Sequence, residues 1–198
     1  MILYFDTETT SLIPGQICQL SYIMQTDRIK CKNMYFTVDS MEKGAFFVHK
    51  LSMEKLYLLS EGKRFCDFAD EICNDFSNAE LLVAHNISFD LAFLNAEFER
   101  LNMALNIKNR LCTMRYFTPF AKLLRSDGKS YKYPNLKELI MFANIFENEI
   151  FEFAAENFNI RNAGLHDARI DASAVYASVE KLCGKNLELK QLIAEGMY

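Results

Sequence analysis

The chain has 198 residues, 51% hydrophobic and 24% charged, with a formal net charge of −4. That composition excludes a disordered or fibrous chain and suits one globular domain with a sizeable core, filled largely by its 17 Phe and 9 Tyr. A secretory leader and a membrane span are not expected: the opening apolar run stops at Asp6, and the uncharged residues 9–26 contain Pro14, Gly15 and three glutamines.

A cytoplasmic setting follows as the expectation, and no membrane partner. The cysteines at 18, 31, 66, 73, 112 and 183 form no C-x-x-C pair, and no His stands at zinc-finger spacing from them. Reduced, buried thiols are expected.

Residues 1–6 read as a buried strand. Residues 17–25 and 28–38 read as two more, joined by a tight turn at Thr26-Asp27, so the chain opens as a β-meander. Residues 52–59 and 65–76 read as helices. In the second, Phe65, Phe68, Ala69, Ile72, Cys73 and Phe76 make one apolar face. A short strand at 81–84, buried on both sides, leads into a helix over 88–101. Residues 111–124 have helical content broken or restarted at Pro119, and 125–134 form a polar loop around Asp127-Gly128. Helices follow over 136–146, 150–158, 167–182 and 187–194, the last after a break at Gly184. The order predicts an α/β fold, with a mixed sheet of about five strands flanked by helices.

Charge is unevenly spread. Residues 100–137 carry nine basic residues and one acid, Asp127, a balance of +8 that leaves −12 for the rest. This marks either a partner surface or an ordinary solvated loop and helix faces.

Several carboxylates stand where burial should exclude them. Asp6 and Glu8 are two apart at the end of the first strand, so they point to one side and repel. A hard cation such as Mg²⁺ relieves that repulsion; a turn cap at Asp6 and a solvated Glu8 is the plain alternative. Asp171 falls in the apolar stripe Ala168, Ala172, Val175, Val179 of the last long helix. A buried acid there requires a metal or a partner such as Arg169. Asp90 falls in the first turn of its helix, where acids are ordinary. His166 sits in a loop five residues before Asp171, placed to take a proton from water or simply exposed. His85 ends a buried strand and is expected to pack there, and His49 has no acidic cluster beside it in sequence.

Three ordered stretches, YFDTETTSL, VAHNISFDLAFLNAEF and LHDARIDASAVY, together resemble the DEDDh-type, DnaQ-like 3′→5′ exonucleases. That family includes proofreading epsilon subunits of bacterial polymerases and ribonuclease T. QICQLSYIM is similar to the family's second strand, and CTMRYF and YPNLKEL resemble segments between its second and third motifs. The likeness spans about residues 2–183; Ser11 stands where the family usually has Gly, and residues 144–162 are longer than it suggests.

The resemblance implies a ribonuclease H-like fold, with the exonuclease domain over 1–183 and a helical extension over 184–198. It implies two divalent cations, Mg²⁺ or Mn²⁺, on Asp6, Glu8, Asp90 and Asp171, with His166 as general base. Asn86, the backbone around Thr7, and Leu12 would meet the terminal nucleotide. The expected activity is 3′→5′ hydrolysis of single-stranded nucleic acid, DNA before RNA, to nucleoside 5′-monophosphates in proofreading or repair, with a DNA polymerase subunit as partner. An RNA-trimming exoribonuclease and a non-catalytic nucleic-acid-binding subunit are the alternatives; binding alone has no use for His166. The basic segment 100–137 would track the strand, with Tyr116, Phe117, Tyr131 and Tyr133 as stacking surfaces.

Overall fold

The computed structural model describes residues 1–160 and 164–195. Strands β1 (Ile2–Thr9), β2 (Ile17–Gln25) and β3 (Ile29–Tyr35) form the expected antiparallel meander. Strand β4 (Leu81–Ala84) joins the other edge of β1 in parallel, and β5 (Arg110–Cys112) joins β4 in parallel. The sheet order is β3-β2-β1-β4-β5, which puts β1 at the centre.

β1 does not stop at Asp6. It stays paired with β2 through Glu8 opposite Gln19, and the register shifts only between Glu8 and Thr9. Beyond that irregularity the Ile17 amide donates to the Glu97 carboxylate at 2.8 Å, so this amide is not left bare.

Alternation along β1 sends its side chains to two cores. Leu3 and Phe5 pack with α3 (Ala69–Asn78) and α4 (Ile87–Arg100) in a cluster rich in Phe. Phe5 and Tyr22 both meet Phe76 edge-on, at ring centroids 5.1 and 5.4 Å away. Tyr4 packs on the other face with α8 (Ala168–Cys183), α6 (Leu136–Ala143) and α7 (Glu147–Phe158). The long segment 144–162 thus contributes α7, whose Phe153 ring lies 4.9 Å from Tyr176 of α8; Arg161 and Asn162 fall outside the described residues. Helix α9 (Leu187–Glu195) buries Leu189 against the same core, and residues 196–198 of the expected extension are also outside.

Other readings need correction. Helix α1 (Lys43–His49) has no counterpart in the sequence reading; α2 (Met53–Ser60) follows, with Ser52 as its N-cap. The amphipathic run 65–76 is a 3₁₀ turn, Phe65–Asp67, and then α3, because Phe68 leaves helical geometry at the junction. Residues 111 and 112 are strand, not helix, and α5 (Thr113–Ala121) runs through Pro119 without ending there. The thiols are all unpaired, but only Cys18 and Cys112 are buried and Cys66 is exposed.

Candidate active site

Three carboxylates converge at the C-terminal end of β1. Asp6, Glu8 and Asp171 each offer an oxygen within 4.8 Å of the others. Strand alternation turns Asp6 and Glu8 to the α8 side, and α8 brings Asp171 down onto them from the first turn of its buried face. Asp171 is 8% exposed.

Among the described residues, Asp171 has no cationic partner. Arg169 instead binds Asp167, with Nε and Nη2 at 2.8 and 2.6 Å from its two oxygens. Gln19, fully buried in β2, also donates to Asp167 at 3.0 Å. Burial opposes ionisation of Asp167, but these donors hold its carboxyl below the usual range. On Asp171, Oδ2 accepts the His166 backbone N–H at 3.2 Å, while Oδ1 is buried with no hydrogen-bond partner among the described residues. A buried carboxylate with one unsatisfied oxygen, grouped with two further carboxylates, fits a hard divalent cation. Asp6, Glu8 and Asp171 would hold it.

Asp90 approaches from the opposite side of the sheet. It sits in the first turn of α4, 3% exposed, and its Oδ1 accepts both the Thr7 hydroxyl at 2.7 Å and the Thr7 amide at 3.2 Å. Thr7 lies between Asp6 and Glu8, so one strand segment presents two acids to α8 and clasps a third on α4. Asp90 is outside the group of three yet close enough to raise the carboxyls of Asp6 and Glu8.

Burial, then mutual repulsion, governs the titration of this centre. Burial and the nearby Asp171 push Glu8 up to about 9 and Asp6 well above the carboxylate range. Burial also raises Asp90 and Asp171, each to about 7, against hydrogen bonds that lower them. The folded chain thus keeps protons that the unfolded chain has released, so stability falls as pH rises. The window opens near the ordinary carboxylate value and closes at about 7 for Asp90 and Asp171 and about 9 for Glu8. In chelator, Tm should drop from about pH 5.5 to about pH 8.5, by about 2–4 °C per kcal/mol lost. Millimolar Mg²⁺ should restore it at the alkaline end and do little at the acid end. A Tm in chelator that rises through this window would show that the carboxylates are already compensated.

His166 is exposed, in a left-handed backbone conformation at φ 69°. It lines a cavity of about 340 Å³ with Asp171, Leu165, Asn135, Leu136 and Lys137. A second cavity, about 330 Å³, opens on the other side of β1. Its walls include Thr7, Glu8, Leu12, Val48, His49 and Phe89. Leu12 is 84% exposed at its rim. Ser11 needs no left-handed backbone; its hydroxyl closes the turn by donating to the Ile13 carbonyl at 2.6 Å. Asn86 is exposed and left-handed (φ 65°) as the residue before α4, four positions from Asp90.

His49 lines the same cavity as Glu8, because α1 folds back beside the end of β1. The Leu51 amide donates to its Nδ1 at 3.0 Å, which leaves the proton on Nε2, 3.3 Å from the Thr9 carbonyl. Burial lowers its pKa. His85 is half-buried and neutral: burial lowers its pKa to about 4, and Nε2 donates to the Pro134 carbonyl at 3.1 Å. Of these features, only Gln19 carried a sequence signal, as a polar residue inside an apolar strand.

Comparison with known proteins agrees with this geometry. The family model described as RNase T, exonuclease, matches residues 3–179. The epsilon subunit of DNA polymerase III from Rickettsia conorii is 27% identical over 191 residues, 90% of this chain and 72% of that protein. The corresponding subunit from Buchnera aphidicola (Acyrthosiphon pisum) is 32% identical over 120 residues, 55% of this chain and 48% of that one, so the match spans about half of that relative. Among solved structures, E. coli exonuclease I in complex with a dA16 oligonucleotide aligns with a TM-score of 0.74 at 16% identity, over 98% of this chain and 43% of that one. Exonuclease X in complex with 5′ overhanging duplex DNA aligns at 0.58 and 17%, over 100% and 95%. The fold is accordingly α/β and ribonuclease H-like. By the match over most of its length, the chain belongs to the RNase T exonuclease family.

Proposed function

We propose that this chain is a metal-dependent 3′→5′ exonuclease that removes nucleoside 5′-monophosphates from single-stranded ends, DNA before RNA. The observation that carries the reading is the group of half-buried Asp6 with buried Glu8 and Asp171, where Asp171 Oδ1 has no partner among the described residues and His166 stands exposed next to it in the cavity lining. Mg²⁺ or Mn²⁺, two ions by family likeness, would be held there with Asp90 behind Thr7, and supplies Lewis acidity to water and phosphate oxygens.

The chain's own residues do the rest. The 330 Å³ cavity receives the terminal nucleoside, with Leu12 against its base and Glu8 and Thr7 at its inner wall. Asn86 contacts the same nucleotide from the turn before α4. His166 takes the proton of the attacking water as the oxygen bonds to phosphorus and the 3′ oxygen leaves. Asp171 fixes the loop that carries His166 by accepting its backbone N–H. DNA is favoured because the structures that align include exonuclease I with single-stranded dA16 and dT13. The epsilon-subunit relatives support proofreading and a polymerase partner. Six unpaired cysteines suit the reducing cytoplasm.

The test is digestion of 5′-labelled DNA and RNA, single- and double-stranded, with Mg²⁺. A ladder shortening one nucleotide at a time, fastest on single-stranded DNA and absent with Asp6→Ala, is expected. Faster loss of RNA would make the chain a trimming exoribonuclease. Equal, slow loss with wild type and Asp6→Ala would leave a non-catalytic binding subunit.

A further inference from the structure

We propose that the segment 122–133 is a nucleic-acid arm that grips the single strand upstream of the 3′ end; the inference rests on the exonuclease reading above. The expected polar loop is folded back into a short hairpin by a single β-bridge. Leu124 bridges Tyr131, the Arg125 amide donates to the Ser130 carbonyl at 2.8 Å, and the Lys132 amide donates to the Leu123 carbonyl at 2.8 Å. Its tip closes through Gly128, at φ +66°, whose amide reaches the Arg125 carbonyl at 2.9 Å. Asp127, the one acid, caps the Lys129 amide at 2.9 Å.

The structure divides the basic segment 100–137 into unlike parts. Arg100 pairs with Glu97, and Lys108 pairs with Glu80. Arg110 opens β5, opposite Leu82, so it lies at the end of the sheet away from Glu8. None of these three serves the site. Lys122, Arg125 and Lys129 are exposed on the hairpin. Lys132 is tied to Glu138 in the first turn of α6 and anchors the foot.

The aromatic surfaces divide likewise. Tyr116 and Phe117 are buried in the core of α5, so they present no face to a base. Tyr131 and Tyr133 are 42% and 51% exposed, on the hairpin and at its foot. Exposed rings among exposed cations, on a loop folded back on itself, are what a single strand requires: charge for phosphates and flat faces for bases.

The foot is fixed at the catalytic end. Two residues past Lys132, the Pro134 carbonyl accepts from His85, which stands between β4 and the α4 turn bearing Asp90. The next residues, Asn135 and Lys137, line the same cavity as His166 and Asp171. A strand whose last phosphate reaches His166 therefore leaves that cavity past Lys137 and meets the hairpin within a few nucleotides.

The experiment compares fluorescein-labelled single-stranded DNA of about three and about fifteen nucleotides, a length that reaches beyond the cavity. For the triple variant Lys122→Ala, Arg125→Ala, Lys129→Ala, KM on the long strand should rise about tenfold with kcat held, and KM on the short strand should not move. The salt slope of long-strand binding, read by anisotropy in chelator, should flatten by about 2 for three lost phosphate contacts. Tyr131→Ala with Tyr133→Ala should weaken long-strand binding several-fold without changing that slope. Lys108→Ala with Arg110→Ala, at the far end of the sheet, should change neither. Triple-variant KM and slope equal to wild type would overturn the arm. So would an equal KM increase on both lengths, which would place these cations at the cleft. Loss of all turnover in wild type would instead overturn the exonuclease reading, since binding in chelator does not depend on it.

Discussion

Asp171→Asn should cost about a thousandfold in kcat on single-stranded DNA and, in chelator, make the protein more stable. The two effects share one cause. Asp171 Oδ1 is buried without a partner among the described residues, and Asp171 offers an oxygen within 4.8 Å of those of Asp6 and Glu8. Folding the metal-free chain forces three like charges together or obliges them to take up protons. The amide has the same shape and no charge. Its oxygen still accepts the His166 amide, and its NH₂ turns from a repelled neighbour into a donor for Asp6 or Glu8. Relief of one buried, unpaired ion should raise stability by about 1–3 kcal/mol. The same change removes a ligand from the group proposed to hold the cation, where a loss of about 4 kcal/mol in transition-state stabilisation is a thousandfold in rate. Steady-state kinetics with Mg²⁺ and thermal melts in chelator read the two halves separately. A variant that keeps its rate would remove Asp171 from the chemistry. A variant that melts lower in chelator would mean that the carboxylate is a structural anchor whose charge is already compensated.

The conflict in Asp171 is also why so much of this site can be read from sequence. An acid in the stripe Ala168, Ala172, Val175 violates the pattern of its own helix, and a pair at i and i+2 on a strand has its direction set by the pleat. Both signals are local, and both survive folding. Asp90 carried no such conflict. Its clasp by Thr7 joins residues 83 apart in the chain, and nothing in either neighbourhood announces it.

Short elements were the least legible part of the fold. Three residues of β5 are too few for any period to show, so Leu111 and Cys112 read as the start of the helix that follows them. Helix α1 is seven residues long, and Phe46, Phe47 and Val48 lie exposed on it at 36%, 66% and 50%, so it lacks the apolar face that marks an amphipathic helix. His49 at its end then reaches Thr9 by tertiary packing alone. Composition misled in the same way around residue 116. Tyr and Phe among basic residues suggest a stacking surface, but α5 turns Tyr116 and Phe117 inward, and of the four rings Tyr131 and Tyr133 are the exposed ones.

His166→Gly should lower kcat by about 10²–10⁴, the usual worth of a positioned general base, while leaving the fold and the cation site intact. The choice of glycine follows from the backbone. His166 holds φ at 69°, a region that suits glycine and strains most side chains. The contact with Asp171 comes from the His166 backbone N–H, which every substitution except proline keeps. The variant therefore deletes the imidazole alone, and it should melt at or slightly above the wild-type temperature. The Tm rise produced by Mg²⁺ at alkaline pH should persist, because Asp6, Glu8 and Asp171 are untouched. Since the side chain is exposed at the mouth of a 340 Å³ cavity, free imidazole has access to the vacated position. Millimolar imidazole should restore part of the lost rate in His166→Gly and do nothing for Asp171→Asn. Full turnover without the side chain would move the base elsewhere. Loss of the Mg²⁺-dependent Tm rise would instead make this residue a shaper of the carboxylate cluster, not an acceptor of the water's proton.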